Sequence, residues 1–543
     1  MNLERPIRDL ATTVSRVVTL AFLSQRFPSA LLGEQIARSL CAETESAVAL
    51  IRLTRPLTGD TTTIRRGAIG LSGNFPLPAE IPRADAGYYF LSLGDNGELY
   101  QPEWIASLIE QLRRRFRYVL IEAVADNIFA PSLFEFLAQS DFGYLFVGAA
   151  SEDIYHMDLL VRELRGREDT DVQFQPVLCL REGEMVDGFD ALIEHVSSPV
   201  KVFIRGCPKS ENSTERPTGS FRGDVRRLAR EIGNCLVGLA LSSGAAKGLS
   251  HIGVIQVLEE NGIDIDVVAG SSMGAYIGAT WNAGKNGTQL EEIAREMESR
   301  WAFWSLIDVA FPPRQGFVRG FAVKRRLQKS IGHIRFAELV RPLHVVTTNL
   351  ATLERITFSS GEVADAVHAS IAVPGVCVPV QLGEETYIDG GIVDPLPVDV
   401  LRELGVGRII AVNAIPTPDR IKYCLQAERE LAQLTKKRAR EVVRKLIPVD
   451  EHLNYFARGN ILDILMRSIH GAQIMMAESL GRQADVVLRP RISDDRWLDF
   501  RSPRKFIDAG RQVAERHLPE IKALVEKKIA QNESVLGSMA RIA

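Results

Sequence analysis

Two residues of this 543-residue chain have the type and setting for nucleophilic chemistry: Ser272, in Gly270-Ser271-Ser272-Met273-Gly274, and Asp389, in Asp389-Gly390-Gly391. The first segment has the G-x-S-x-G pattern and follows the apolar run Val267-Val268-Ala269. That pattern turns a strand sharply into a helix and leaves the serine hydroxyl exposed at the sheet edge on a strained backbone. A strand over Asp266–Ala269 and a small-residue helix over Met273–Ala279 are expected on its two sides. Glycines two residues before and after Ser272 suit positions where a β-carbon would strike a neighbouring strand or helix. Asp389 follows a short strand, Thr386–Ile388. A carboxylate with an ordinary pKa near ~3.9 can take a serine proton when transfer is concerted with attack, and partial desolvation raises its basicity. The plainer readings are a helix-packing turn at Ser272 and an Asp-Gly turn at Asp389.

A third segment adds a place for developing negative charge. Leu236-Val237-Gly238-Leu239-Ala240-Leu241 reads as a buried parallel strand, and it runs into Ser242-Ser243-Gly244-Ala245-Ala246-Lys247-Gly248. A helix with Leu249, Ile252, Ile255 and Leu258 on one face follows, and Gly262 is its stop signal. Strand, small-residue loop and helix start together aim free backbone N–H groups and the helix dipole at one point. In an acyl transfer that point holds the tetrahedral oxyanion, and each donor there lowers the barrier by about 3–4 kcal/mol. A structural turn is the alternative.

With these three segments in order, the chain resembles the patatin-like phospholipase family, in particular its neuropathy target esterase branch. The resemblance covers roughly residues 234 to 416. It is also carried by Ser250-His251-Ile252-Gly253-Val254 and by Ala369-Ser370-Ile371-Ala372-Val373-Pro374-Gly375. It implies that Ser272 is the nucleophile and Asp389 the base of a two-residue machinery, and that Ser243, Gly244, Ala245, Ala246, Lys247 and Gly248 form the oxyanion loop. Ser243 and Ala245 stand where the family carries glycine, and a positive φ at either would cost roughly 1–2 kcal/mol. Lys247 keeps a positive charge where arginine is usual. The expectation is a serine acyl hydrolase acting on fatty acyl esters of phospholipids or lysophospholipids, with no metal and no cofactor. The alternative is a non-catalytic regulatory or interaction protein that keeps the fold with an altered loop. His251 and His368, the histidines nearest these blocks, read as packing or hydrogen-bonding residues.

The expected fold class is α/β: a patatin-like three-layer α/β/α catalytic domain preceded by a second α/β domain. Ahead of the motifs, apolar runs at 47–53, 88–93, 118–121, 144–147, 177–180 and 200–204 alternate with amphipathic stretches at 104–116 and 153–165, which argues for a mostly parallel sheet. The order of elements resembles a degenerate MinD-type P-loop ATPase, with 117–122 standing for the strand that ends in a metal-binding aspartate. No G-x-x-x-x-G-K-[S/T] occurs in the chain, so nucleotide binding is not expected and a structural or regulatory role is. The boundaries read as 1–205 for this domain, 206–233 for a polar linker, 234–420 for the catalytic domain and 421–543 for a helical part completing it.

Composition narrows the partners. A formal net charge of −3 gives no electrostatic footprint for nucleic acid, which is not expected as a partner. Six cysteines without a C-x-x-C pair suit reduced thiols, and Val17–Leu23 is too short for a membrane span and lacks a cleavage site. The expected setting is cytoplasmic, with a lipid substrate and peripheral membrane contact left open. One stretch bears on that contact, and another on the substrate. Lys436, Lys437, Arg438, Arg440, Arg444 and Lys445 read as a solvated helix face or a surface for anionic lipid. The aromatic-rich run from Trp301 to Phe321 reads as ordinary core or as a groove lining or lid.

Overall fold

Runs of apolar residues buried on both faces build two parallel-centred sheets, each in its own unit: one unit reaches to Cys235 and the other spans Leu236–Lys527. The computed structural model describes residues 15–24, 27–54, 81–84, 87–94, 102–124, 131–166, 173–184, 202–209, 218–299, 305, 307–416, 461–492 and 499–526. The basic cluster at 436–445 and residues 301–304 and 306 lie outside them.

In the first unit, β1 (Arg16–Phe22), β2 (Val48–Thr54), β3 (Tyr89–Gly94), β4 (Tyr118–Val124), β5 (Phe142–Gly148), β6 (Phe174–Cys179) and β7 (Val202–Ile204) form one sheet in the order β3-β2-β4-β1-β5-β6-β7. Every pairing is parallel. The alternation seen in the sequence omitted β1, which is the central strand. Its mostly apolar run, with Thr19 buried at the centre, suits a strand covered on both faces. Val18, Leu20 and Phe22 face the helices Ser29–Thr44 and Gly219–Ile232, while Val17, Val119 and Ile121 face the helix Pro102–Arg115.

The stretch read as a linker, 206–233, contains the Gly219–Ile232 helix. Thr218, a turn residue by type, caps it by accepting from Phe221 N at 3.2 Å, and Asp224 ties it to the end of β7 through Arg205. Phe221, Val225 and Leu228 then bury one face. The Glu122 carboxylate on β4 is buried and paired with Arg52 at 3.0 Å.

The second unit has an eight-stranded sheet: β8 (Val237–Leu241), β9 (Val267–Ser271), β10 (Leu343–Asn349), β11 (Arg355–Phe358), β12 (Val380–Leu382), β13 (Glu385–Asp389), β14 (Arg408–Val412) and β15 (Val486–Leu488). Strands β10, β9, β8, β14 and β15 are parallel neighbours; β11 and β13 run antiparallel to β10. Leu239, Leu241, Val268 and Val345 face the helices Ser250–Glu260, Met273–Asn282 and Pro503–Val525. Ala240, Ala269 and Val346 face Val398–Glu403 and Ile461–Gly481. Helices on both faces of a sheet make three layers, as the sequence implied.

Two glycines let the Ser250–Glu260 and Pro503–Val525 helices touch backbone to backbone. A β-carbon at Gly253 would lie 1.9 Å from Ile507 O, and one at Gly510 would lie 1.9 Å from Ser250 O. Gly510→Val must push the helices apart, so a loss of about 1–3 kcal/mol and a fall of several degrees in melting temperature are expected. A calorimetric melt unchanged from wild type would refute the close crossing.

Candidate active site

Strand β10 brings the two motifs together. Its Leu343–Val346 segment pairs in parallel with β9, matching Val346 with Ser271; the next residue, Thr347, pairs antiparallel with Asp389 of β13. Because β11 takes the opposite edge along Val345–Thr348, β9 and β13 share one edge of β10, end to end. The nucleophile elbow therefore begins where the aspartate's strand stops. Residues 117 apart in sequence end in hydrogen-bond contact, Ser272 Oγ donating to Asp389 Oδ2 at 2.6 Å.

The elbow carries the expected strain. Ser272 has φ +52° and ψ −118°, a conformation few non-glycine residues adopt. The flanking glycines are required: a β-carbon at Gly274 would lie 2.1 Å from Leu241 O, and one at Gly270 would lie 2.7 Å from Ala275 N. Ser370 secures the turn, its Oγ accepting from Ser272 N at 2.9 Å and donating to Val346 O at 2.6 Å. Ser370 belongs to the Ala369–Gly375 block, but nothing in its local sequence announces this task.

Asp389 is 2 % exposed. Burial pushes its carboxyl up to about 6, against hydrogen bonds from Ser272 and the Gly391 N–H that favour the charged form. The Gly391 N–H donates to Oδ1 at 2.7 Å, and Thr348 Oγ1 donates to the Asp389 carbonyl at 2.9 Å. Gln473, from the Ile461–Gly481 helix, donates to Gly391 O at 3.0 Å from a buried position. No sequence signal links Gln473 to this turn. Asp394, five residues on, is held by Arg355 at 3.3 Å and lies in a separate cluster with Glu403.

The 243–248 loop lies against the elbow. Ala245–Leu249 forms a short 3-10 turn, and a β-carbon at Gly248 would lie 2.7 Å from Met273 Cβ. The Ser243 hydroxyl lies 2.8 Å from the β-carbon position of Gly391, on the side of Asp389. Ala245 is the altered glycine that adopts a positive φ, +47°, at a cost of roughly 1–2 kcal/mol; Ser243 does not. Burial, aided by the positive charge of Lys247 buried within this loop, lowers the pKa of His470 to about 4.

Neither histidine of the motif blocks is bonded to the pair. His251 Nε2 donates to Ser242 O at 2.9 Å, and burial lowers its pKa to about 4, so it is neutral. His368 Nε2 donates to Arg319 O at 3.2 Å.

A strained serine at a strand-to-helix elbow, a buried carboxylate on its hydroxyl and a small-residue loop beside both form the arrangement that serine hydrolase chemistry requires, on an α/β/α sheet. Residues 239–402 match the family model for patatin-like phospholipase, and the chain is similar to proteins of the neuropathy target esterase type. The chain is 27 % identical over 335 residues to Lysophospholipase NTE1 of Lodderomyces elongisporus, covering 60 % of this chain and 22 % of that protein. It is 33 % identical over 197 residues to Lysophospholipase nte1 of Aspergillus fumigatus (36 % and 13 %) and 30 % identical over 198 residues to Neuropathy target esterase sws of Drosophila melanogaster (36 % and 14 %). The chain thus spans less than a quarter of the length of these relatives. Solved structures similar to it include VipD from Legionella pneumophila, at 16 % identity and TM-score 0.26 over 52 % of this chain and 67 % of that one. Another is the MinD cell division protein of Aquifex aeolicus, at 15 % identity and TM-score 0.29 over 36 % and 84 %.

Two stability measurements follow from the geometry. Ala245→Gly relieves a left-handed alanine while loosening the unfolded chain, so a net gain of up to about 1 kcal/mol is expected in denaturant unfolding. A loss would show that the alanine is unstrained. The Asp389 carboxyl binds its proton more tightly folded than at its ordinary value of 3.8, so wild-type stability falls as pH rises from about 4 to 6 and then levels. Asp389→Asn removes that term and is expected to exceed wild type by about 2–3 kcal/mol at pH 8, with the gap closing near pH 4. A constant gap across that range would contradict the burial argument.

Proposed function

We propose that this protein is a serine acyl hydrolase that cleaves fatty acyl esters of phospholipids or lysophospholipids through Ser272 and Asp389. The single observation that carries the reading is the 2.6 Å hydrogen bond between the Ser272 hydroxyl and a buried carboxylate. The lysophospholipase names of the relatives supply the substrate class.

Asp389 accepts the Ser272 proton as Oγ attacks the ester carbonyl. Negative charge develops on the carbonyl oxygen, which the backbone N–H groups of the 243–248 loop and of Met273 stabilise. The alcohol leaves with the proton that Asp389 took up, and an acyl group remains on Ser272. Asp389 then deprotonates a water that attacks the acyl-enzyme, releasing fatty acid and restoring the hydroxyl. Burial of Asp389 serves this cycle, since a carboxyl with its pKa near 6 is a far better base than an exposed one. The residues present supply every proton transfer.

In this reading residues 234–420 hold the chemistry and 421–543 complete that domain. Residues 1–205, with the Gly219–Ile232 helix packed into the same core, act as a structural or regulatory module without nucleotide. Among the described residues no helix is long and apolar enough to cross a membrane. The setting proposed is cytoplasmic with peripheral access to lipid. One observation favours the non-catalytic alternative, namely the left-handed Ala245 in the proposed oxyanion loop.

A fluorophosphonate probe and a lysophosphatidylcholine assay separate the two. Wild type is expected to label and to release fatty acid; Ser272→Ala loses both, and Asp389→Asn drops kcat by about 10³-fold or more. A folded wild type that neither labels nor releases fatty acid would reject the enzyme. The kcat/KM profile is expected to fall on the acid side through about pH 6 as Asp389 gains its proton, and a rate constant down to pH 4 would exclude Asp389 as the base.

A further inference from the structure

A flap beside the site exposes apolar side chains that folding leaves uncovered. Between Val309 and Val318, which bridge each other, the chain reverses, with Ala310 N donating to Phe317 O at 2.9 Å. Phe311 at the turn is 86 % exposed and Val309 67 %; Phe321, which opens the next helix, is 52 % exposed. Pro312 and Pro313 are exposed between them. Scattered single apolar residues are ordinary, but a contiguous projecting cluster marks a surface that meets an apolar partner.

The charges around the flap specify that partner. Arg314, Arg319, Arg325 and Lys329 are exposed on the flap and the helix behind it. The neighbouring acids are engaged: Asp308 accepts from Gly320 N and Ala322 N, Asp365 pairs with Lys324, and Glu296 pairs with Arg326. A projecting apolar tip ringed by cations fits a fluid apolar layer beneath anionic headgroups. A protein partner would more commonly meet a shaped pocket or face.

The flap also hangs from the segments that hold the pair. The N–H groups of Phe317 and Val318 donate to Val376 O at 2.8 and 3.0 Å, and Val378 N donates to Val318 O at 2.8 Å. Four residues before Val376, the Ala372 carbonyl accepts from Asp389 N at 2.9 Å. On the other side, Arg319 O bonds His368, two residues before the Ser370 that secures Ser272 N.

We propose that this flap docks the protein on the surface of a bilayer rich in anionic phospholipid. Val309 and Phe311 enter the boundary between headgroups and acyl chains, while Arg314, Arg319, Arg325 and Lys329 meet lipid phosphates and carboxylates. The inference rests on the lipid-hydrolase reading for its purpose and places the lipid supply next to the dyad. Each cation contributes roughly fivefold to affinity for such a surface, and the inserted aromatic adds to it.

The test uses the full chain with Ser272→Ala, so that binding is read without hydrolysis. Sedimentation with phosphatidylserine-containing vesicles is expected to carry it down, and pure phosphatidylcholine vesicles to carry less. Val309→Asp with Phe311→Asp is expected to weaken binding at least about tenfold, and Arg314→Glu with Arg319→Glu to erase the preference for phosphatidylserine. In the Ser272 background both flap variants retain wild-type melting temperature and hydrolysis of a soluble short-chain 4-nitrophenyl ester. Undiminished vesicle binding by the flap variants would overturn the proposal, as would equal binding of wild type to both vesicles. Loss of soluble-ester hydrolysis by folded flap variants would overturn it too, by moving the flap into the active site. If wild type fails on the soluble ester, the hydrolase reading falls while the vesicle experiment still judges the flap.

Discussion

One edge of β10 sets the geometry of the second unit. Val346 and Thr347 are consecutive, yet the first pairs with the strand that ends at the nucleophile elbow and the second with the strand that ends at Asp389. Backbone hydrogen bonding fixes register in steps of a residue, so the two side chains approach as a consequence of pairing and not of a flexible search. Gly390 must lack a side chain there, because a β-carbon would lie 2.2 Å from Val346 O and 3.0 Å from Ser271 Oγ. The glycine after the aspartate thus allows two strand ends to share one edge.

The remaining features tune what that edge brings together. Strain at Ser272 is held by Ser370, which spans from the elbow back to β10 and replaces the backbone partner that the elbow N–H would otherwise lack. Asp389 combines nearly complete burial with donors on both oxygens, so it stays ionisable within reach of neutrality while remaining basic. The proposed oxyanion loop is the least regular part. Its alanine at positive φ is tolerated because Gly244 and Gly248 on either side still let the chain pack against Ala414 and Met273.

What the sequence made legible was local. The elbow, the strand before it, the loop after β8 and the Asp-Gly-Gly turn are each written in a handful of adjacent residues, and the glycines carry steric reasons that hold in space. The Gly262 stop signal has φ +64°, as a left-handed helix end requires. Non-local features were not legible. Gln473 reaches the Asp389 turn across 82 residues, and its type is common on any helix. Strand β1 was weighed as Val17–Leu23 only for a membrane span or leader and not as a strand, because no turn residues of its own distinguish it. The Gly219–Ile232 helix was obscured because its cap and its polar approach have the composition of a linker.

The glycine-mediated crossing of the Ser250–Glu260 and Pro503–Val525 helices has a temporal side. The first helix continues the 243–248 loop, so that loop is buttressed by a segment made more than two hundred residues later. A ribosome delivering the chain from its amino end exposes serine and aspartate well before their brace exists. Nascent protein therefore holds Ser272 and Asp389 through a period when the 243–248 loop has no rigid wall, and the loop is braced only as synthesis of the second unit closes.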